Sequence, residues 1–222
     1  TAIILAGGLG SRLKDAVPMV PKPMAPINHR PFLEYLMDYW ILQGVTKFIL
    51  SVGYLKDLII NHFGNKYKGI SIEYVVESEQ LGTGGGLLLA SKNLNETFLV
   101  LNGDTFIEVN LNNLYKFHLK CKSDWTFSLF RTNQFERYMG MDVSPNGEIL
   151  SLKSESKESS GLANGGVYLI EPSVLGSLAF KAGDKASLED ELLLNFISNG
   201  GVLYGQECKG KFIDIGVPED YY

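Results

Sequence analysis

A glycine-rich stretch with one arginine follows the first apolar run of the chain. The apolar run covers residues 2–6, and the letters GGLGSRL follow it from Gly7 to Leu13. Glycines allow a backbone to approach a ligand closely and to point its N–H groups at phosphate oxygens. The stretch lacks the Gly-Lys-Ser/Thr ending of the Walker loop, and Leu13 stands where the dinucleotide fingerprint requires glycine. A phosphate-binding loop and a tight turn carrying a surface arginine therefore both remain open.

One lysine of the chain is held between two prolines. Lys22 lies between Pro21 and Pro23, in the letters VPKPM. Prolines fix their own φ and restrict the residue before them to extended geometry, so the backbone at this lysine is constrained. A rigidly held ammonium group suits an anionic substrate, and an ordinary surface loop is the alternative for this segment taken alone.

The order of these two segments resembles the signature of the sugar-1-phosphate nucleotidyltransferases, usually written GGxGTRL followed by PKPM. Ser11 replaces the usual threonine and keeps its hydroxyl. Further matches occur in order along the chain: Glu77 with LGTGG at 81–85, NGD at 102–104, NGGVY at 164–168, and FIDIG at 212–216 with Pro218. Because five motifs in register are hard to obtain by chance, the chain is identified as a member of this family.

The resemblance implies catalytic roles for Arg12, Lys22 and Asp104. Arg12 would contact the nucleotide phosphates and the leaving pyrophosphate, and Lys22 would hold the region where the two substrates meet. Asp104 and Asp214 would bind Mg²⁺ together. Both aspartates end predicted strands, where ligands gather in open α/β sheets, and Mg²⁺ needs few carboxylates beside water and phosphate. A helix cap or a turn residue is the alternative for either aspartate alone.

The implied reaction is direct attack by a sugar-phosphate oxygen on the α-phosphorus of a nucleoside triphosphate. This nucleophile is already anionic at neutral pH, so no general base is required. Catalysis would rest on alignment and charge neutralisation. His29, His62 and His118 lie outside the motifs, and we interpret them as structural or exposed.

Nucleotide binding is assigned by the resemblance to the two glycine-rich segments. The candidate residues are Leu5, Ala6, Gly7, Gly8, Gly10, Ser11, Arg12, Glu77, Gly82 and Thr83. Glu77 occupies the position where relatives that handle pyrimidines often carry glutamine. A carboxylate accepts hydrogen bonds and guanine offers two donors on one edge, so Glu77 favours GTP. Glu79 is an alternative for this role, and a solvated acidic loop is another interpretation.

The residues at 30–32, 51–54 and 81–85 resemble those of the subgroup that makes GDP-activated D-glycero-α-D-manno-heptose. A GDP-mannose or other NDP-hexose pyrophosphorylase is the alternative. The candidate sugar-phosphate-binding residues are Asn102, Gly103, Gly140, Lys153, Lys157, Asn164, Gly165 and Glu189. Relatives usually carry a Glu-Lys pair before the Asn-Gly segment, whereas this chain reads LKSESK at 152–157, so either Lys153 or Lys157 could supply the cation. Glu189 also fits the first turn of a helix.

The elements that would position these residues alternate in the first half of the chain. Strands are predicted at 2–6, 48–52, 70–76 and 98–101, with helices at 30–43, 56–63 and 87–92. This alternation predicts an α/β fold with a Rossmann-like, mainly parallel mixed sheet and helices on both faces, as in GT-A-like nucleotidyltransferases. We expect a single domain over 1–222, with a nucleotide-binding half at 1–104 and a mainly sugar-binding half at 105–222.

The second half contains hairpin and strand signals. Strands are predicted at 125–131, 141–143, 148–152 and 166–170, and a last strand runs up to Asp214. The turn at 144–147 predicts a hairpin, and 153–160 reads as a mobile polar loop. A helix is predicted to begin at the N-cap Ser187, with Leu192, Leu193, Phe196 and Ile197 facing inward.

Composition narrows the choice of partners. The net charge of −5 disfavours nucleic acid and anionic membranes as partners, and no apolar run approaches a membrane span. Cys121 and Cys208 are not spaced for metal binding, which indicates free thiols, and no secretory signal is recognisable, so we expect a cytoplasmic enzyme. A homo-oligomer stays open.

Two other classes of protein compete with this interpretation. A glycosyltransferase would normally show a DxD metal motif, whereas this chain has Asn102-Gly103-Asp104. A non-catalytic sugar-nucleotide sensor or regulatory partner would be expected to lack part of the charged set Arg12, Lys22, Asp104 and Asp214, which is complete here. A nucleotidyltransferase enzyme is therefore the favoured interpretation.

Overall fold

A computed structural model describes residues 1–8, 20–134, 137–152 and 161–216 of the 222-residue chain. In the first half, strands and helices alternate as the sequence predicts. The elements are β1 (Ala2–Leu5), a 3₁₀ turn (Lys22–Met24), β2 (Pro26–Ile27), β3 (Arg30–Pro31), α1 (Phe32–Leu42), β4 (Lys47–Val52), α2 (Lys56–Phe63), β5 (Lys66–Tyr67), β6 (Ile70–Val76), α3 (Gly82–Ser91) and β7 (Phe98–Asn102).

The second half is richer in antiparallel strands. Its elements are β8 (Thr105–Ile107), α4 (Leu111–Cys121), β9 (Trp125–Arg131), β10 (Gly140–Val143), β11 (Ile149–Leu152), β12 (Leu162–Ile170), α5 (Pro172–Ser177), a π-helical turn (Leu188–Leu192), α6 (Leu193–Ser198), β13 (Leu203–Glu207) and β14 (Phe212–Asp214). Within the described residues, no helix is long and apolar enough to cross a membrane.

A ten-stranded sheet runs through both halves in the order β11-β10-β12-β7-β1-β4-β6-β5; β9 also pairs with β12, and β13 pairs with β9. Strands β7, β1, β4 and β6 are mutually parallel, as expected for crossovers through helices. β12 lies antiparallel to both β7 and β9, and β13 returns parallel to β9. The sheet is therefore mixed, which confirms the predicted fold class.

Helices cover both faces of the sheet because successive strand residues point to opposite sides. On one face, Ile4 of β1 shares a core with Trp40 of α1 and Phe63 of α2. On the other face, Ile3 shares a core with Leu87 of α3 and with helices α5 and α6. All of these side chains are buried.

Several elements differ from the sequence-based expectation. Helix α3 begins at Gly82, five residues before the predicted start, because its glycines pack against a neighbouring segment as described below. Ser187 caps the π-helical turn by accepting a hydrogen bond from Asp190 N, as predicted, but Ile197 is 41% exposed and does not face inward. Helix α4 and strand β13 were not predicted from the sequence. The predicted loop at 153–160 lies outside the described residues.

Two irregularities shape the edge of the sheet at the carboxyl ends of β1 and β7. β12 carries a bulge between Asn164 and Tyr168, where the pairing with β9 shifts. β8 and β14 form a separate two-stranded antiparallel sheet in which Asp214 lies opposite Thr105. Bulges commonly redirect side chains beside functional sites. Both irregularities bring polar side chains to the same edge.

Candidate active site

A cleft of about 360 Å³ opens at the carboxyl ends of β1 and β7, between α3 and the π-helical turn. This is the position at which open α/β sheets bind ligands. The lining residues are Leu5, Ala6, Gly7, Gly8, Lys22, Pro23, Glu77, Gln80, Gly82, Thr83, Gly86, Asn102, Gly103, Asp104, Tyr168, Leu188 and Glu189. Most of the described residues that the sequence assigned to substrate binding therefore share one cavity.

Lys22 and Asp104 form an ion pair at this cleft. The Lys22 Nζ donates to Asp104 Oδ2 at 3.0 Å, and only 12% of the lysine side chain is exposed. Lys22 opens the 3₁₀ turn behind Pro21, whose φ of −66° is the value that the proline ring imposes. The Pro-Lys-Pro segment therefore holds the ammonium group against the aspartate.

Asp214 is brought to the same place by the small β8–β14 sheet. Its strand pairs with the residues that directly follow Asp104, and Ile215 N donates to the Asp104 carbonyl oxygen at 3.1 Å. A Cβ placed on Gly216 would lie 2.8 Å from Asp214 Oδ1 and 3.4 Å from Asp104 Oδ2. The two carboxylate oxygens thus lie no further apart than the sum of these distances. The expected convergence of the two acids is found.

Gly216 leaves room at the centre of this cluster. The same Cβ position would be 2.8 Å from Lys22 Nζ, so a larger residue would crowd Lys22 and Asp214 and would contact Asp104. Gly216 N also donates to Asp214 Oδ1 at 2.8 Å. A glycine at this position therefore permits the three charged groups to approach one another closely.

The two acids influence each other electrostatically. Burial raises the pKa of Asp214, and the charge of Asp104 raises it further. The hydrogen bond from Gly216 and the charges of Lys22 and Arg137 oppose this rise. Two carboxylates held close together in a partly buried site are unfavourable as a pair, so cations beside them stabilise the ionised form. The site is suited to a further positive charge.

Glu77 also lines the cleft, with both carboxylate oxygens engaged. Ser51 Oγ donates to Oε1 and Leu81 N donates to Oε2, each at 3.1 Å. A Cβ on Gly86 would lie 3.0 Å from Oε1, and a Cβ on Gly7 would collide with the same oxygen. The carboxylate is therefore seated between two glycines, and each oxygen keeps a lone pair for a further donor.

Glu79 occupies a different environment. Its side chain is exposed, and it is not among the residues that line the cleft. Gln80, on the same loop, does line the cleft. Between the two acids proposed for reading the base, the geometry favours Glu77.

The glycines at the start of α3 pack against the segment that precedes the π-helical turn. Gly84 N and Gly85 N donate to Ala186 O at 2.9 and 3.1 Å, and Ala186 N donates to Leu81 O at 2.8 Å. A Cβ on Gly84 would lie 2.9 Å from both Ala186 O and Leu192 Cγ. The glycine run is thus required by the close approach of two backbones.

On the sugar side predicted from the sequence, Asn164 connects two elements. Its Nδ2 donates to Tyr168 Oη at 2.8 Å and to Glu189 Oε1 at 3.2 Å, and its Oδ1 accepts from Gly166 N at 3.0 Å. Burial and the nearby Glu189 charge raise the pKa of Tyr168, so its hydroxyl stays protonated at neutral pH. The turn and the bulged strand β12 are therefore held together by polar contacts.

Other predicted residues have mixed positions. Gly165 is buried in the bulge, where a Cβ would meet Ile107 Cδ1 at 2.8 Å, and Gly140 lies on β10 opposite Ala163. Neither is among the cleft-lining residues, and Asn164 donates to Glu189 and Tyr168, which line the cleft. Gly10, Ser11, Arg12, Lys153 and Lys157 lie outside the described residues.

Some cleft residues were missed by the sequence reasoning. Gln80, Gly86, Pro23, Tyr168 and Leu188 line the cavity without having been assigned to substrate binding. Pro23 and Tyr168 belong to the recognised PKPM and NGGVY segments, so their letters carried a signal. Leu188 carried none, because its position depends on the docking of the π-helical turn.

The histidines and cysteines have the structural roles expected of them. His118 is buried, with its ring nitrogens 2.8 Å from Thr126 Oγ1 and 2.9 Å from Glu171 Oε1. His62 contacts Glu34, and His29 is exposed. Both cysteines are free thiols. Among the described residues, no group of three or more His, Cys, Asp or Glu side chains is arranged to hold a metal.

Two curated relatives match nearly the full chain. The chain is 40% identical over 222 residues to the D-glycero-α-D-manno-heptose 1-phosphate guanylyltransferase of Aneurinibacillus thermoaerophilus, covering 99% of this chain and 94% of that protein. It is also 40% identical over 223 residues to the protein of the same name from Campylobacter jejuni, covering 100% and 96%. Both matches span nearly the whole chain, including the stretches in which the motifs lie.

A solved structure and a family model agree with these relatives. HddC from Yersinia pseudotuberculosis, solved in complex with GMP-PN, superposes with a TM-score of 0.86 at 35% identity, covering 100% of this chain and 96% of that one. The family model described as nucleotidyl transferase matches residues 1–222. This chain belongs to the nucleotidyl transferase family.

Proposed function

We propose that this enzyme transfers the guanylyl group of GTP to D-glycero-α-D-manno-heptose 1-phosphate, giving the GDP-sugar and pyrophosphate. The observation that carries the proposal is the convergence of Lys22, Asp104 and the buried Asp214 at one edge of the cleft, which Lys22, Asp104 and Glu77 line. The relatives named for this reaction, which align over nearly the whole chain, support the choice of both substrates.

The nucleotide is proposed to enter along β1 and α3. Gly7 and Gly8 line the cleft without side chains, which allows backbone contact with a phosphate or base. Glu77 would accept hydrogen bonds from the N1–H and N2–H₂ groups of guanine through the lone pairs that Ser51 and Leu81 leave free. Arg12, which follows these glycines in the sequence, is proposed to contact the phosphates. The GMP-PN complex of the Yersinia relative supports a guanine nucleotide.

The sugar 1-phosphate is proposed to occupy the other end of the cleft. Glu189 and Asn102 line this end, and Asn164 orients Glu189 through a 3.2 Å hydrogen bond. A carboxylate accepts hydrogen bonds from sugar hydroxyls, and an amide both donates and accepts. Gly103, whose N–H donates to Leu5 O at 3.0 Å, lines the cleft without a side chain and so leaves space for a phosphate beside Lys22.

A divalent cation, proposed to be Mg²⁺, fits the acids of the site. Asp104 and Asp214 present carboxylate oxygens, the ligand type that Mg²⁺ prefers, and leave coordination positions for water and phosphate. The burial and mutual repulsion that raise the pKa of Asp214 are the conditions that a cation would relieve. When bound, Mg²⁺ would supply neutralising charge at the phosphate oxygens.

The chain's own contribution to the reaction is alignment. A sugar-phosphate oxygen forms a bond to the α-phosphorus of GTP while the bond from this phosphorus to the bridging oxygen of the β-phosphate breaks, and pyrophosphate leaves with that oxygen. The attacking oxygen is anionic, so no side chain removes a proton. Lys22 holds positive charge where the two substrates meet, and its proline-restricted backbone keeps that charge in place.

A substrate panel tests the proposal. Purified enzyme with Mg²⁺ is assayed for pyrophosphate release with GTP, ATP, UTP and dTTP against heptose, mannose and glucose 1-phosphates. We expect turnover to be fastest with GTP and D-glycero-α-D-manno-heptose 1-phosphate, and Lys22→Met to slow it by about 100-fold or more. Fastest turnover with mannose 1-phosphate would replace the proposed sugar, and no turnover with any pair would refute the proposed function.

A further inference from the structure

Thr83 is placed between the nucleotide side and the sugar side of the cleft. It is the second residue of α3, and its Oγ1 accepts a hydrogen bond from Leu188 N at 3.0 Å. Leu188 is the first residue of the π-helical turn, 105 positions further along the chain, and the next residue is Glu189. One hydroxyl therefore connects the first turn of α3 with the backbone that presents Glu189.

The geometry of the π-helical turn explains why this contact is available. Leu192 N donates to Ser187 O at 3.0 Å, across five residues rather than the four of an α-helix. The first N–H groups of a helix have no partner within the helix. Ser187 Oγ accepts from Asp190 N at 3.1 Å, and Thr83 accepts from Leu188 N. The threonine thus serves as a second cap, supplied by another element.

Glu189 is fixed from both sides by these contacts. Thr83 holds the backbone immediately before it, and Asn164 Nδ2 donates to its Oε1 at 3.2 Å. The segment before the turn is also fastened to α3, since Gly84 N and Gly85 N donate to Ala186 O. From Glu77, which accepts from Leu81 N, hydrogen bonds lead through Leu81 O to Ala186, three residues before Glu189.

We propose that Thr83 is a positioning residue for the sugar phosphate: its hydroxyl holds the π-helical turn so that Glu189 points into the cleft. The inference rests on the proposed function, in which Glu189 accepts hydrogen bonds from sugar hydroxyls. It differs from the sequence expectation that Thr83 binds the nucleotide. If Thr83 contacted the nucleotide directly, loss of its hydroxyl would raise the KM for GTP. If Thr83 positions Glu189, the same loss would raise the KM for the sugar 1-phosphate.

Steady-state kinetics with Thr83→Val, Thr83→Ser and Ser91→Ala separates these roles. Valine keeps the shape of threonine but cannot accept from Leu188 N, and serine keeps the hydroxyl. Ser91→Ala is the matched control, because the Ser91 hydroxyl is on the same helix and donates within it to Leu87 O at 2.6 Å. The KM for GTP, the KM for the sugar 1-phosphate and kcat are measured by pyrophosphate release, and folding is checked by thermal unfolding.

We expect Thr83→Val to raise the KM for the sugar 1-phosphate by about ten-fold, equivalent to roughly 1.4 kcal/mol, with the KM for GTP within about two-fold of wild type. Thr83→Ser should restore both values, and Ser91→Ala should leave them unchanged. A rise in the KM for GTP alone, equal rises in both, or failure of serine to restore them would overturn the inference. Wild-type protein without turnover would instead refute the proposed function.

Discussion

Lys22 and Asp104, which are 82 residues apart in the sequence, form a 3.0 Å ion pair that is largely shielded from solvent by the walls of the cleft. The pair brings the only basic side chain that lines the cleft, within the described part of the chain, against one of the two acids proposed to bind metal. Substitution of one partner of this ion pair therefore tests its role in the reaction.

Replacement of Lys22 by methionine keeps the length of the side chain and removes its charge. We expect kcat to fall by about 100-fold or more, since removal of one preorganised charge at a reacting phosphate amounts to roughly 3 kcal/mol. Pyrophosphate release measures the effect. Lys47→Met is the control, because Lys47 at the start of β4 forms a solvent-exposed ion pair with Glu73 of β6. Equal losses in both variants would contradict a role for Lys22 in the cleft.

Asp214→Asn removes one negative charge from the proposed metal site while its Oδ1 can still accept from Gly216 N. We expect a loss of activity of about 1,000-fold and a higher Mg²⁺ concentration for half-maximal rate, because one carboxylate ligand is lost. Chelation of divalent cations should stop the wild-type enzyme, and added Mg²⁺ should restore it. Asp124→Asn, at an exposed position, should behave like wild type. Unchanged Mg²⁺ dependence in Asp214→Asn would count against the site.

Glu77→Gln tests how the base is selected. Glutamine can keep the hydrogen bond from Leu81 N but presents only one acceptor oxygen, so guanine loses one partner. We expect the kcat/KM ratio of GTP over UTP to fall by about 10- to 100-fold. Glu79→Gln is the matched control on the same loop, with an exposed side chain. If the ratio changed in Glu79→Gln and not in Glu77→Gln, base recognition would belong to Glu79.

Gly84→Ala tests the contact between α3 and the segment before the π-helical turn. The added Cβ would lie 2.9 Å from Ala186 O, a backbone atom that cannot move independently. We expect the free energy of unfolding to drop by about 1 to 3 kcal/mol, as for overpacked cores. Gly176→Ala in α5 has open space around it and should be neutral or slightly stabilising. Urea denaturation compares the two; a neutral Gly84→Ala would show that the backbones can separate freely.

Glu171 makes the stability of the fold depend on pH. Burial alone would raise the pKa of its carboxyl, but hydrogen bonds from Thr97 and His118 outweigh this and lower the pKa below the ordinary value of 4.5. Because the folded-state pKa is the lower one, the stabilisation is complete above pH 4.5 and disappears as pH falls through the folded value.

Glu171→Gln should therefore reduce the free energy of unfolding at pH 7 by about 1 kcal/mol, a value that allows for partial solvent screening. The difference from wild type should vanish in acid, below the folded-state pKa. Denaturation at pH 7 and at a series of lower pH values measures how this difference changes. Glu73→Gln, in an exposed ion pair, should have a smaller effect at pH 7. A difference in unfolding free energy that grew on acidification would contradict a lowered pKa of Glu171 in the folded state.

Local residue patterns were sufficient for much of the fold. The bounds of α2, β6 and β9 agree with the predicted ones, because continuous apolar runs and helical spacing are properties of neighbouring residues. α4 was not predicted, although six of its eleven residues are hydrophobic; of these six only Leu114 is buried. β13 is completed by a parallel partner some 80 residues earlier, which no local pattern reports.

The sequence by itself determined the family and the residue types of the site, since glycines, a proline-held lysine and strand-terminal acids carry their chemistry in short stretches. Only the tertiary structure decided which of them meet. The β8–β14 pairing placed Asp214 beside Asp104, and the bulge in β12 withdrew Gly165 from the cleft. Docking of the π-helical turn gave Thr83 its partner. Strand register and backbone packing set these distances, and both depend on contacts between segments far apart in the chain.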